Sequence, residues 1–499
     1  MHAASFPIPR TRMAAMNQTT NPTSHRMFIG GEWLATEQTL PVVDPATGAV
    51  VGSIPRGGAA EIDAAVRAGR AALAGAWGAV DATGRGRLLL RLAELIRRDA
   101  DILARIESAD VGKPLGQARG DAAAFARYFE YYGGAADKVH GETIPFLQGY
   151  TVMTVYEPIG VTGHIIPWNY PMQIMGRSVA AALAMGNAVV LKPAEDTSLS
   201  SLHLARLAEE AGFPAGAFNV VTGLGEEAGA ALAGHPGIGH VSFTGSPEVG
   251  ALVQAAAGRN SVPVTLELGG KSPQVVFADA PMEEAAATIT RGISQNSGQT
   301  CSAGSRVLIE DRVYDSFTQD LAARFRALRV GTPDQELDCG PVVNAAQQQR
   351  IQRYLDMARR DGLPVLAEGS LAGNVPPGGY YVKPVLIGDV PAEHPLAQEE
   401  IFGPVLVAIR VRDEADALRV ANATAYGLVA GVWTADIARA LRLARGISAG
   451  QVFINNFGAA GGIELPFGGT RRSGHGREKG FEALYGFASL KTIAIKHGI

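Results

Sequence analysis

The chain has 499 residues, of which 47% are apolar and 18% charged, and its formal net charge is −4. That length allows two or three domains around a large core, and the mild acidity gives no global attraction to nucleic acid or anionic lipid. The longest nearly uninterrupted apolar run, Val179 to Leu191, contains Gly186 and Asn187 and falls short of the ~18 residues a span needs, so no membrane or nucleic-acid partner is expected.

Residues 1–26 carry Arg10, Arg12 and Arg26, no acid, and prolines at 7, 9 and 22. An acid-free, Arg-bearing leader has the composition of a transit peptide, but Pro7 and Pro9 interrupt an amphipathic helix, so a disordered tail is expected. Met13, Met16 and Met27 also allow a downstream start. The chain holds two cysteines, too few for a disulfide framework, and a cytoplasmic location is expected.

From Phe28 to Trp33 the pattern is the start of a hairpin, and Val42 to Gly48 is a strand closing on a turn. Ala59–Ala76, Gly84–Asp99 and Asp101–Gly112 place apolar residues at three- and four-residue spacing, with Arg91, Glu94, Arg97 and Arg98 on a solvated face. Short apolar strands then alternate with helical patterns: Val161–Ile166, Ala188–Leu191, Phe218–Val221, Val241–Thr244 and Val264–Leu268. This is the rhythm of a parallel, doubly wound α/β sheet, in which ligands bind at the carboxyl ends of the strands. Asn169, Lys192, Glu195, Gly245, Ser246 and Glu267 gather at those ends.

Gly223 to Gly229 follows a strand and opens a helix, but it has one residue too many for a G-x-G-x-x-G loop. Phe243-Thr244-Gly245-Ser246 is the better phosphate candidate, because Gly245 admits close approach and Ser246 caps a helix. Glu195 at a strand end can accept from a ribose 2′-hydroxyl and repels a 2′-phosphate, which favours NAD over NADP.

The strand Val264 to Leu268 ends on Gly269-Gly270-Lys271 and leaves the carboxylate of Glu267 at its mouth. Further on, Asn296-Ser297-Gly298-Gln299-Thr300-Cys301 sets a thiol among small polar residues, the surroundings of a reactive rather than a structural cysteine. The other cysteine, Cys339 in Asp338-Cys339-Gly340-Pro341, reads as an inert residue at a turn.

The Glu-Leu-Gly-Gly-Lys segment followed by Gly-Gln-Thr-Cys resembles the signature pair of the NAD(P)-dependent aldehyde dehydrogenases, in order and in spacing. The resemblance runs from about Met27 to the C-terminus. It implies a Rossmann-like parallel cofactor domain (27–137 and 158–267), a second α/β catalytic domain (268–479) and a small β flap for oligomerisation (138–157 and 480–499). In the catalytic domain, strand Arg306–Ile309, helices Tyr314–Arg329 and Ala345–Arg360, and strands near Val365 and Val385 are expected. The flap would pair Thr151–Tyr156 with Leu490–Ile495 and build a homodimer or homotetramer.

The resemblance also implies roles. Cys301 would be the nucleophile, Asn169 with the Cys301 N–H the oxyanion site, and Glu267 the base that activates water. Cofactor contacts would come from Ile166, Pro167, Trp168, Lys192, Glu195, Gly225, Gly229, Phe243, Gly245, Ser246, Leu268, Glu400 and Phe402; Ile454–Phe457 and Pro466–Gly469 would line the tunnel and close the domain. NAD is the expected cofactor and no metal is expected. A CoA-acylating relative would typically lack the base at Glu267, and a structural protein on the same fold would need none of the set.

Arg177 is the only charged residue between Asn169 and Lys192. Semialdehyde-type members carry an arginine at this place for the substrate carboxylate, so Arg177 and Tyr170 are expected to contact an aldehyde with an anionic group. The alternatives are a neutral aliphatic or aromatic aldehyde and an Arg177 paired within the protein. Gln295 and Gly462 stand where that subgroup has an arginine and a serine.

Overall fold

The short runs rich in Val, Ile and Leu become the parallel centre of an eight-stranded sheet in the computed structural model, which describes residues 23–498. Val161–Ile165 lies in the middle. Ala188–Lys192 and Phe218–Val220 follow on one side, and His240–Thr244 and Val264–Glu267 on the other, all parallel. Every residue of these five strands is buried, which is why they read as continuous apolar runs rather than alternating ones. Antiparallel strands close both edges: Gly474–His475 at one, Met27–Ile29 and Glu32–Leu34 at the other. The order of strands reverses between Val161–Ile165 and His240–Thr244, so a crevice opens beyond their carboxyl ends, where residues 166–169 and 245–246 follow.

In a second sheet of seven strands, Pro273–Val276 lies between Arg306–Glu310 and Val429–Trp433. Val405–Val411 and Val385–Ile387 extend it in parallel, Gln451–Ile454 ends it on one side, and an antiparallel Val365–Glu368 on the other. The third sheet has three strands. Tyr150–Pro158 pairs antiparallel with Ala488–Lys496 on one side and with Thr143–Ile144 on the other. Its outer strand leaves Leu490, Ile493 and Ile495 exposed.

Two local expectations change. The tail expected over 1–26 lies outside the described residues as far as residue 22, but Thr23–Ser24 pairs in parallel with Val50–Pro55, so ordered chain starts earlier than position 27. A helix not anticipated from the sequence, Leu115–Ala135, packs against Ala82–Arg98 and Pro171–Ala184. Its glycines at 116, 120, 133 and 134 lower intrinsic helix propensity, and burial of Phe125, Tyr128, Phe129 and Tyr132 outweighs that. Among the described residues no helix is long and apolar enough to cross a membrane.

Candidate active site

Cys301 follows a tight turn. Asn296, Ser297 and Gly298 all have positive φ (48°, 54° and 73°), a run that costs free energy at the two non-glycine positions and persists only when its surroundings hold it. They do. Asn296 Nδ2 donates to the Asn169 carbonyl at 2.9 Å, Ser297 Oγ to the Gly340 carbonyl at 2.8 Å, and Gln299 Oε1 accepts the Val343 N–H at 2.9 Å. A Cβ on Gly298 would lie 2.1 Å from the Gly403 carbonyl oxygen, so only glycine fits there. A Cβ on Gly270 would lie 2.6 Å from the Cys301 carbonyl oxygen, so the Glu-Leu-Gly-Gly strand end and the cysteine loop pack backbone to backbone.

Cys301 lines a cavity of about 1480 Å³ together with Asn169, Tyr170, Arg177, Thr300, Phe457, Phe467 and Lys479, among others. Burial pushes its thiol up to about 11, with Arg177 opposing the shift. The sequence setting pointed to a reactive thiol, but in the protein alone the thiol stays protonated at neutral pH and needs a base to ionise it. Asn169 Nδ2 gives one hydrogen to the Gln299 carbonyl at 3.0 Å and keeps the other, and the Cys301 N–H has no acceptor among the described residues. Cys339 is fully buried, its Sγ 3.3 Å from the Ser294 carbonyl, and burial raises it to about 12.

Tyr170 fixes the loop from the other side. Its hydroxyl is 2.9 Å from Thr300 Oγ1, and the Lys113 ammonium sits 3.8 Å from the centre of its ring. Lys113 is buried and bound to both Glu107 and Asp121 at 2.5 Å, while Asp121 also accepts from Gln173 at 2.5 Å. Sequence reading missed this cluster. Leu103, Glu107 and Val111 recur every four residues, so the glutamate falls on the apolar stripe of its helix, and that was the available signal.

Glu267 does not line the cavity. It is buried behind it, both oxygens without a hydrogen-bond partner, with Oε1 2.6 Å from where a Cβ on Gly468 would sit. Burial raises its carboxyl well above the ordinary value, and the nearby Arg177 charge opposes that.

Arg177 departs from the sequence expectation. Its Nε is ion-paired with the buried carboxylate of Glu478, Nη2 donates to Thr244 Oγ1 at 3.1 Å, and the guanidinium lies 5.1 Å from the Phe467 ring centre. Glu478 also accepts from Ser242 Oγ at 2.6 Å, and its backbone pairs with that of Phe467. The anion that a buried arginine requires is therefore supplied by the protein, and the argument that made Arg177 the anchor of a substrate carboxylate no longer holds.

The remaining predicted residues have the following surroundings. Lys192, buried, reaches Glu195 at 2.9 Å, and the Glu195 side chain is 36% exposed. Gly229 lies 4.0 Å, by its would-be Cβ, from Lys192 Cδ, and Gly225 has open space beside it. Ser246 Oγ accepts from the Val249 N–H at 3.3 Å and caps the twelve-residue helix Pro247–Gly258. A Cβ on Gly245 would strike the Phe243 ring at 2.5 Å. From the second domain, Glu400 Oε1 accepts the Gly270 N–H at 2.8 Å, with burial pushing the carboxyl up to about 7. Phe402 (φ 61°) meets Trp168 edge-on at 5.3 Å. Ile166 and Leu268 are buried and Pro167 is half-buried, Leu268 donating its N–H to the Ser473 carbonyl at 3.1 Å.

A doubly wound parallel sheet, a second α/β sheet and a cysteine in a cavity wall define the architecture. Residues 33–493 match the aldehyde dehydrogenase family, and the chain belongs to it. Among curated relatives, a hydroxyisobutyraldehyde dehydrogenase of Mycolicibacterium austroafricanum is 43% identical over 487 residues, covering 97% of this chain and 96% of the relative. A crystal structure from Burkholderia cenocepacia described as an aldehyde dehydrogenase superposes with a TM-score of 0.94 at 61% identity, over 95% of this chain and 100% of that one. Betaine aldehyde dehydrogenase of Staphylococcus aureus, solved with NAD+, gives 0.92 at 33% identity, over 96% of each chain.

Proposed function

We propose that the chain oxidises an aldehyde to the carboxylic acid with NAD and water, through a thiohemiacetal and then a thioester on Cys301. The observation that carries the reading is the Cys301 thiol in a cavity wall beside two unused donors, its own N–H and the second hydrogen of Asn169 Nδ2. Sulfur attacks the carbonyl carbon as its proton passes to a base, and the new alkoxide accepts from both donors. When bound, the nicotinamide supplies the acceptor for the hydride that this carbon releases. The thioester left on Cys301 is cleaved by a water that Glu267 deprotonates. Its oxygens are held by no hydrogen bond, so a rotation of the side chain past Gly468 brings the carboxylate toward the cavity.

The crevice suits NAD. Lys192 and Glu195 would hold the adenosine ribose, Gly245 and the capped helix at Ser246 the pyrophosphate, and Glu400 and Phe402 the nicotinamide riboside beside Trp168. The exposed 2′-side carboxylate of Glu195 favours NAD over NADP. A small, hydroxylated aldehyde, as in the name of the Mycolicibacterium relative, fits a cavity with aromatic and polar walls. The exposed edge of the Ala488–Lys496 strand supports assembly into a homodimer or homotetramer, and two unpaired cysteines agree with a reducing, cytoplasmic setting. The test is NADH formation over a panel of aldehydes with NAD and with NADP, together with mass spectrometry of Cys301 for an acyl adduct. No NADH and no adduct with any aldehyde would overturn the reading.

A further inference from the structure

Two cations that line the cavity of Cys301 have no acid partner among the described residues, Arg291 and Lys479; Arg291 is exposed, and Lys479 is the half-buried one. Arg177 is balanced by Glu478, Lys113 by Glu107 and Asp121, and Arg127 by Glu464. Among the described residues no carboxylate lies within salt-bridge distance of Lys479, whose Nζ donates only to the Gly461 carbonyl, at 3.0 Å. Of the carboxylates in the cavity wall, Glu464 favours the Lys479 ammonium through space but makes its salt bridge with Arg127. Asp121 and Glu464 are committed to their partners, and Glu284 and Asp338 are exposed at the cavity's outer end.

The ammonium is well placed to meet a substrate. Lys479 lines the same cavity as Cys301 and lies 5.7 Å from the centre of the Phe467 ring, whose surroundings also hold the guanidinium of Arg177, 5.1 Å from the same centre. Phe467 belongs to the small apolar cluster against which Cys301 packs. Burial, with the Arg177 charge adding to it, lowers the Lys479 ammonium to about 8, so an incoming anion favours its charged form.

We propose that Lys479 reads an anionic substituent on the substrate, so that the chain prefers short aldehydes bearing a carboxylate to uncharged aldehydes of the same length. This rests on the aldehyde-oxidising reading above, and it moves the recognition of an anion from Arg177 to Lys479. Two of the three Nζ hydrogens remain for the carboxylate, the aldehyde carbon sits at Cys301, and the chain between them crosses the face of Phe467.

The test compares the wild type with Lys479→Met and Lys479→Glu on succinate semialdehyde and on butanal. A charge-assisted hydrogen bond predicts that kcat/KM on the semialdehyde falls about 10- to 100-fold in Lys479→Met and further in Lys479→Glu, while butanal loses a much smaller factor. Equal losses on both substrates, or no loss on the semialdehyde, would overturn the proposal. A second readout needs no turnover: with NAD omitted, succinate semialdehyde should protect Cys301 from iodoacetamide better than butanal does, and lose that advantage in Lys479→Met. Cys339 is fully buried, so alkylation reports on Cys301. Lys479-dependent protection without NADH from any aldehyde would sink the oxidation and keep the recognition; NADH formation without a Lys479-dependent preference would do the reverse.

Discussion

Arg177 and Glu478 form a buried ion pair that joins the helix Pro171–Ala184 to the segment behind the cavity wall, with Thr244 on the guanidinium and Ser242 on the carboxylate. Removing one partner leaves an uncompensated buried charge, at a cost of about 3–5 kcal/mol. Glu478→Gln and Arg177→Leu should each lower the unfolding free energy by about that amount, read from denaturant titration. Arg177→Leu should also reduce kcat/KM by similar factors on a semialdehyde acid and on the alkanal of equal length. A loss confined to the acid would return the substrate-anchoring role to Arg177.

Cys301→Ala should abolish NADH formation and leave the unfolding midpoint and NAD binding close to wild type, because the substitution removes the nucleophile and little volume. Turnover within tenfold of wild type would exclude a thioester on Cys301. Fluorescence titration with NAD checks the binding arm.

The parallel strands were legible because burial on both faces gives runs of Val, Ile and Leu that no other element explains, and Glu267 and Cys301 were legible because each closes a glycine-bounded motif. What the sequence did not disclose is which charges meet. Arg177 stood alone among apolar neighbours in the chain, and its partner lies three hundred residues on, brought to it by the pairing of Phe467 with Glu478. The helix Leu115–Ala135 was hidden by its glycines, since what stabilises it is packing against the helices Ala82–Arg98, Ala100–Val111 and Pro171–Ala184 rather than its own propensity. Nothing in the chain distinguishes Glu478 from Lys479 beside it; only the fold turns one side chain into the protein and the other toward the cavity.

Glu267→Gln should slow thioester hydrolysis more than acylation, so a burst of NADH followed by a slow steady state is expected in rapid-mixing traces. The acid limb of the wild-type pH profile follows from the same carboxyl. A base works when deprotonated, so the rate rises with pH; burial has moved this group above the ordinary 4.5, so the limb lies at higher pH than an exposed glutamate would give. Loss of that limb in Glu267→Gln is the expected outcome, and an unaltered profile would assign the base elsewhere.

His164 and His240 give the last prediction, on stability. Both are buried in the sheet against Phe487, with Nε2 hydrogen-bonded to Thr162 and Thr265 at 2.9 and 3.1 Å and Nδ1 unpartnered. Burial lowers His164 to about 3 and His240 to about 4, against 6.5 for a free imidazole. The unfolded chain thus binds more protons than the native one between those values, and native stability must rise with pH across that window and fall as pH drops. Above 6.5 both histidines are neutral in either state and contribute no pH dependence. At pH 5 each should cost about 2 kcal/mol relative to pH 7. Denaturant unfolding at pH 7 and pH 5 measures the difference in wild type. In His240→Gln the difference between the two pH values should shift by about 2 kcal/mol toward stability at pH 5; an equal difference in wild type and variant would mean that His240 titrates normally in the fold.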